Sequence, residues 1–492
     1  MKDELTVATR SGQVRGCLLD EARVRVWRGI PFAAPPTGPL RWRPPVQPEP
    51  WQGVRDATRF AADPVQAPMP VSQAAGSGED CLALNVWAPC DDAEALRPVM
   101  VWVHGGGFVG GTGADARCDG ARLASRGVVA VSFNYRTGLF GFLAHPALSA
   151  ESPRSVSGNY GLLDQLQALG WVRDNIAAFG GDPSRVTVFG VSAGSASISL
   201  LLTSPLAAGA FSQAVLHSPG AARPLASLAD AETAGLRLGS DLQALRAMSA
   251  PEVFALTPLL APKVRGLTTP RVLRPIRDGW LLPEDERDAF LAGRIHPMPM
   301  IVGTNADEGS MLTAAWPVDT LEGYRRIVES NFASAVPSAL SQYPAGSPSE
   351  ARARVAEMFA DTQFNYGARL LAQASSRQRR GTWRYLFDRR RPGQSDGPHH
   401  GDEVGYVFGN LERDRTGRVA RHDAVDARVS AAMSEAWVAF ARGGDPNMPG
   451  RTAWPAHTGD ADEVLRFGET IGMEPDRRRA QLDFLEAFYS RS

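Results

Sequence analysis

Ser192 stands in Gly190-Val191-Ser192-Ala193-Gly194, directly after the β-branched and aromatic run Val186-Thr187-Val188-Phe189 and before the helix-compatible stretch Ser195–Leu202. A strand, a Gly-x-Ser-x-Gly turn and a helix form the arrangement that projects a serine hydroxyl into a cleft. The flanking glycines let the backbone turn sharply without a Cβ in the way. A serine attacking a carbonyl carbon needs a base, an acid to orient that base, and hydrogen-bond donors for the oxyanion.

Candidates for each part occur in the chain. His104-Gly105-Gly106-Gly107-Phe108 follows the apolar run 98–103, and glycines there let backbone N–H groups face a ligand oxygen. The glycine-dense stretch 105–113 could instead cradle phosphate, but it lacks both a Gly-Lys-Ser/Thr ending and an ordered G-x-G-x-x-G. Of the eight histidines, His399 and His400 sit in Gly397-Pro-His-His-Gly401, a loop shortly after the β-rich run 382–387. Its position favours His400 as the base. Asp307 and Glu308 lie in Asn305-Ala-Asp-Glu-Gly309, just beyond the apolar run 300–303. Both are at a strand's carboxyl end, where sites of open α/β sheets collect. Order and spacing leave the choice between them open.

The elements that would carry these residues alternate. Strands are predicted over 82–88, 98–104, 128–135, 186–189, 300–303 and 382–387, after short antiparallel strands within 5–28. Leu162, Leu166, Leu169, Val172 and Ile176 recur at helical spacing and predict one helix over 162–176. Further helices are predicted over 427–441 and 477–489. Strands alternating with helices give a mostly parallel sheet covered on both faces. The stretch 221–298 has mixed periodicity, expected as helical excursions over the sheet's carboxyl edge. With no repeat and no linker, 1–492 is expected to be a single catalytic domain.

Composition excludes several classes. The net charge of −1 over 492 residues gives no electrostatic footprint for nucleic acid or an anionic membrane. No run of about 18 apolar residues could span a bilayer. The cations are almost all arginine; the lysines are Lys2 and Lys263. Cys17, Cys81, Cys90 and Cys118 show neither C-x-x-C nor metal-ligand spacing, which predicts free thiols and no zinc site. The first ten residues lack a signal peptide's apolar core, so a cytoplasmic location is expected.

With these residues in hand, the sequence resembles the type-B carboxylesterases, the cholinesterase-like branch of the α/β-hydrolases, and among them the bacterial para-nitrobenzyl esterases. The stretch Phe179–Gly194 fits the family's serine signature throughout, and Glu79-Asp-Cys-Leu-Ala-Leu-Asn-Val-Trp87 fits a second. Matching stretches include Arg28–Ala33, Phe133–Arg136 with Phe140–Leu143, and Gly158–Gln165. The match is weakest over 221–298 and 310–380, the expected variable segments over the active site.

The resemblance implies an α/β-hydrolase fold and a serine esterase needing no metal or organic cofactor. It implies Ser192 as nucleophile, Glu308 as acid and His400 as base. It assigns the oxyanion donors to Gly106, Gly107 and Ala193, a supporting hydroxyl to Ser218, and structural ion pairs to Arg41–Glu79 and Arg136–Asp164. Val191 stands where the family often has glutamate, and Met311-Leu312 where cholinesterases have phenylalanines. Together with Phe108 these mark the expected substrate pocket, with Trp316, Phe364 and Tyr366 adding apolar surface. A quaternary ammonium needs an aromatic cage, so choline esters are poor candidates; the expected small-molecule substrates are medium-sized neutral esters, and a monomer is favoured. The family also contains catalytically silent adhesion or scaffold proteins, and carbamate, amide or lactone hydrolysis would use the same residues.

Overall fold

Val99, Val101 and Val103 face one hydrophobic core while Met100 and Trp102 face another, and all five are buried. Successive side chains of a strand point to opposite faces, so a nearly continuous apolar run marks a strand covered on both sides. A computed structural model describes residues 5–19, 21, 23–91, 95–261, 266–267, 271–459 and 462–490. Lys2 and Lys263 lie outside the described residues.

The main sheet has 11 strands. In chain order they are β1 (Cys17–Leu19), β2 (Val24–Pro31), β3 (Ala83–Pro89), β4 (Arg97–Val103), β5 (Val129–Phe133) and β6 (Gly181–Val191). There follow β7 (Gln213–His217), β8 (Met300–Asn305), β9 (Thr382–Phe387), β10 (Glu463–Phe467) and β11 (Ile471–Pro475). Their spatial order is β11-β10-β9-β8-β7-β6-β4-β5-β3-β2-β1. Pairing is parallel from β5 through β10 and antiparallel at both edges. Thr6–Thr9, Gly12–Arg15 and Val54–Asp56 form a separate small sheet.

Helices α1 (Tyr160–Asn175), α2 (Ala193–Thr203) and α3 (Tyr366–Ser376) pack on the valine face. Helix α4 (Ala424–Gly443) covers the other, setting Val429, Met433 and Trp437 against Trp102 and Phe189. An Asp423–Asp426 capping box starts α4 and left-handed Gly444 ends it.

The predicted strands and helices are present with shifted ends, β6 reaching from 181 to 191. Strand β7 was not foreseen: only Ala214-Val215-Leu216 is apolar, too short a run to show a period. Strands β10 and β11 also escaped the reading. Within the described parts of 221–298 the chain makes short helices such as Leu228–Gly235 and Leu242–Ala247, as expected. No described helix is long and apolar enough to cross a membrane, and all four cysteines are unbridged.

Candidate active site

Ser192 lies between the end of β6 and the first turn of α2, at φ 58° and ψ −120°. A non-glycine residue at positive φ stores strain. Here the fold holds it on both sides: its N–H donates to the His217 carbonyl of β7 at 3.0 Å, and its carbonyl accepts from Ala196 N–H at 2.8 Å.

The loop after β4 faces it. Gly106 has φ 116°, and a Cβ there would stand 2.2 Å from the Gly110 carbonyl oxygen. Gln66, buried beneath the loop, clamps Gly111 from both ends: it accepts from Gly111 N–H at 2.6 Å and donates to the Gly111 carbonyl at 2.8 Å. Tyr135 donates to the His104 carbonyl at 2.9 Å and stacks on its ring. Among the described residues, the amides of Gly106, Gly107 and Ala193 donate to no protein acceptor. Burial pushes the His104 imidazole down to about 4, so this ring is neutral at pH 7.

The acid pair separates by register. A parallel bridge joins Asp307 to His399, so consecutive residues of the two loops pair alternately. Asp307 takes Ser310 and lies 3.3 Å from His399 Nδ1. Glu308 turns inward, where its Oε2 lies 2.5 Å from His400 Nδ1. Its Oε1 accepts from Ser218 Oγ at 2.5 Å and from Asn305 N–H at 2.7 Å. Burial alone would lower the His400 pKa; the Glu308 carboxylate more than offsets it and leaves it raised. His400 stacks on Phe364 at 4.4 Å, and its buried Nε2 has no hydrogen-bond partner among the described residues.

Sequence reasoning missed the support behind this pair. Asn305 Nδ2 donates to the His399 carbonyl at 2.7 Å and to buried Glu403 at 2.5 Å. Burial and the charge of Glu308 push Glu403 up to about 7. Glu403 lies in the stretch after His400, but no spacing rule gives it this place. His217 accepts from Trp437 Nε1 at 3.1 Å and meets Tyr385 Oη at 2.7 Å; it belongs to the core under the site.

Ser192, Ala193, Gly106, Gly107 and His400 line one cleft of about 390 Å³. Val191, Leu312 and Phe364 line it as expected, but Met311 does not. Trp316 packs on Phe359 and Tyr366 on Tyr489 instead. Phe108 is buried against Phe142 and lines an adjoining smaller cavity. The cleft is also more charged than the apolar pocket expected from the sequence. Arg117, Arg223, Arg271, Arg274 and Arg415 line the cleft, against Asp115 as its acidic residue. Three of them come from 221–298, where no motif singled them out.

The model of the carboxylesterase family matches residues 3–485. The chain belongs to the carboxylesterase family. It is 47% identical over 471 residues to a fumonisin B1 esterase of Sphingopyxis macrogoltabida, covering 94% of this chain and 86% of the relative. With the para-nitrobenzyl esterase of Bacillus subtilis (strain 168) it shares 34% identity over 488 residues, 96% of each chain. Two solved PNB esterase structures superpose with TM-scores of 0.86 and 0.84, at 31% and 33% identity, over 98% of this chain and 99% and 100% of theirs. The fold is that of an α/β-hydrolase and the protein is a carboxylic ester hydrolase, so the silent-scaffold alternative falls away.

Proposed function

We propose that this carboxylesterase works through an acyl-enzyme on a Ser192–His400–Glu308 triad. The observation that carries the reading is the fixing of Glu308 by Ser218, Asn305 N–H and His400 Nδ1 together. That arrangement commits Nδ1 to the carboxylate and leaves Nε2 for the serine proton.

In this mechanism His400 Nε2 takes the Ser192 proton as Oγ attacks the ester carbonyl. The amides of Gly106, Gly107 and Ala193 hold the oxyanion. His400 then protonates the leaving alcohol, and takes a proton from the water that hydrolyses the acyl-enzyme. Glu308 orients the ring and balances its charge, and Ser218 is a positioning residue for Glu308. The segments 221–298 and 310–380 supply part of the cleft wall, which supports one catalytic unit built on the main sheet.

The test is Ser192→Ala. Its kcat on a p-nitrophenyl ester is expected to fall about 10⁵–10⁶-fold, and a fluorophosphonate probe should label the parent but not the variant. Near-parental turnover by Ser192→Ala would overturn the triad. Fumonisin B1, brought forward by the 47% identical relative, belongs in the substrate panel.

A further inference from the structure

Arg223, Arg271 and Arg274 line both the catalytic cleft and the smaller cavity that adjoins it beside Ala196 of α2. Two further cleft arginines each face an acid: Arg117 holds Asp115 at 2.7 Å, and Arg415 lies 3.7 Å from Asp402. The setting of Arg223 is different. Its guanidinium donates to the Gln363 side chain and, at 3.0 Å, to the Gly220 carbonyl, both neutral groups. Among the described residues no carboxylate lies within ion-pair distance of it. The carboxylate on the same wall, Glu286, is engaged by Ser199 and by Ala222 N–H at 2.6 Å. Burial pushes Glu286 up to about 7, which weakens it as a counter-charge.

The wall is also rigid. Glu286 ties the 221–223 turn to α2 through those two bonds, and Ala222 sits at φ 58°. The Arg274 guanidinium lies 5.3 Å from the centre of the Phe108 ring, so the buried phenylalanine seats a cation beside the oxyanion loop. Burial and the neighbouring charge of Arg271 push Arg223 down to about 10. Like charges gathered in a partly desolvated wall repel one another, and an anion between them removes that cost. Guanidinium groups match carboxylates in geometry as well as charge.

We propose that this wall is a carboxylate-binding subsite, so that the enzyme selects esters carrying at least one further carboxylate besides the ester they lose. The proposal rests on the serine-esterase reading above and deepens it by naming a substrate class. It reverses the neutral-ester expectation: Val191 removes a negative charge beside the nucleophile, and that change favours an anionic substrate too.

The experiment compares kcat/KM on matched pairs. One pair is p-nitrophenyl hemiglutarate against p-nitrophenyl valerate, with the carboxylate on the acyl part. The other is 4-acetoxybenzoate against phenyl acetate, with it on the alcohol part. For at least one pair the anionic-to-neutral ratio should fall about 10-fold to 100-fold in Arg223→Gln, Arg271→Gln or Arg274→Gln, mainly through KM. Arg271→Lys should keep part of the ratio, and added salt should reduce it in the parent. The pair that responds tells which part of the ester faces the wall. If no arginine variant moves either ratio while fluorophosphonate still labels every variant, the subsite is wrong and the esterase reading stands. If the parent is neither labelled nor active on any of the four esters, the reading beneath it fails instead.

Discussion

At the scale of single residues, the choice between Asp307 and Glu308 depends on a register that the sequence does not display. Adjacent residues of a loop point to different sides, and only the bridge between Asp307 and His399 fixes Glu308 as the one facing His400. Glu308→Gln should therefore lower kcat about 10³–10⁴-fold, and Asp307→Asn by less than about tenfold. The pH profile supplies a second readout. Protonated His400 cannot accept the serine proton, so kcat/KM falls as pH drops through its pKa, which Glu308 holds above the ordinary 6.5. Removing that charge in Glu308→Gln leaves burial opposed only by the weaker pull of Glu403 and Asp402, and the acid limb of the residual activity should move to lower pH. An upward movement would show that Glu308 does not stabilise the charged ring. The residues proposed as nucleophile, base and oxyanion loop were legible as candidates because each lies in a short local motif. The cleft arginines were not, since their convergence depends on how 221–298 folds over the sheet.

Among the elements, the elbow is set by how closely α2 approaches β4. A Cβ on Gly194 would stand 2.0 Å from the Val103 carbonyl oxygen and 2.6 Å from that of His104. Gly194→Ala must push the first turn of α2 away from the strand, taking Ala193 N–H and Ser192 with it. A shift of about 1 Å at such a site costs on the order of 10² in rate, so kcat should fall at least that far, with a lower Tm. Gly170 is the contrast: it lies within α1, and a Cβ there meets nothing within 4 Å. Gly170→Ala should raise stability by about 0.5–1 kcal/mol and leave kcat alone. Equal effects at the two positions in urea unfolding and kcat would refute the close-approach argument. Helix α1 was readable because its apolar positions recur over four turns. Strand β7, which carries Ser218 to Glu308, was not, because three apolar residues fit a strand or a helix equally well.

For the molecule as a whole, charge pairs matter according to where they are buried. Arg136 and Asp164 are joined by two side-chain bonds of 2.7 and 2.8 Å, with Arg136 N–H adding a third at 3.0 Å. Their side chains are 3% and 0% exposed. The pair ties the loop after β5 to α1, and Arg136 also donates to the Arg43 carbonyl at 2.8 Å, so it fastens the segment around Arg43 to the body. Arg326–Glu322 is an i,i+4 pair with side chains 72% and 75% exposed, where water screens the attraction and chain entropy opposes it. Asp164→Asn keeps the shape but leaves a buried guanidinium without its counter-charge, a loss of about 3–5 kcal/mol. Glu322→Gln should cost less than about 1 kcal/mol. Replacing both buried partners by apolar residues, Arg136→Met with Asp164→Leu, removes the unpaired charge and should recover most of that loss. Part of the loss should remain, because the Arg43 carbonyl and Arg136 N–H still lack partners. Urea unfolding followed by fluorescence and by circular dichroism measures all three. Coincident transitions would license the comparison of free energies. If Asp164→Asn proved no more costly than Glu322→Gln, the pair would not anchor the segment around Arg43. If the double variant were no better than Asp164→Asn, the loss would come from packing rather than from a stranded charge.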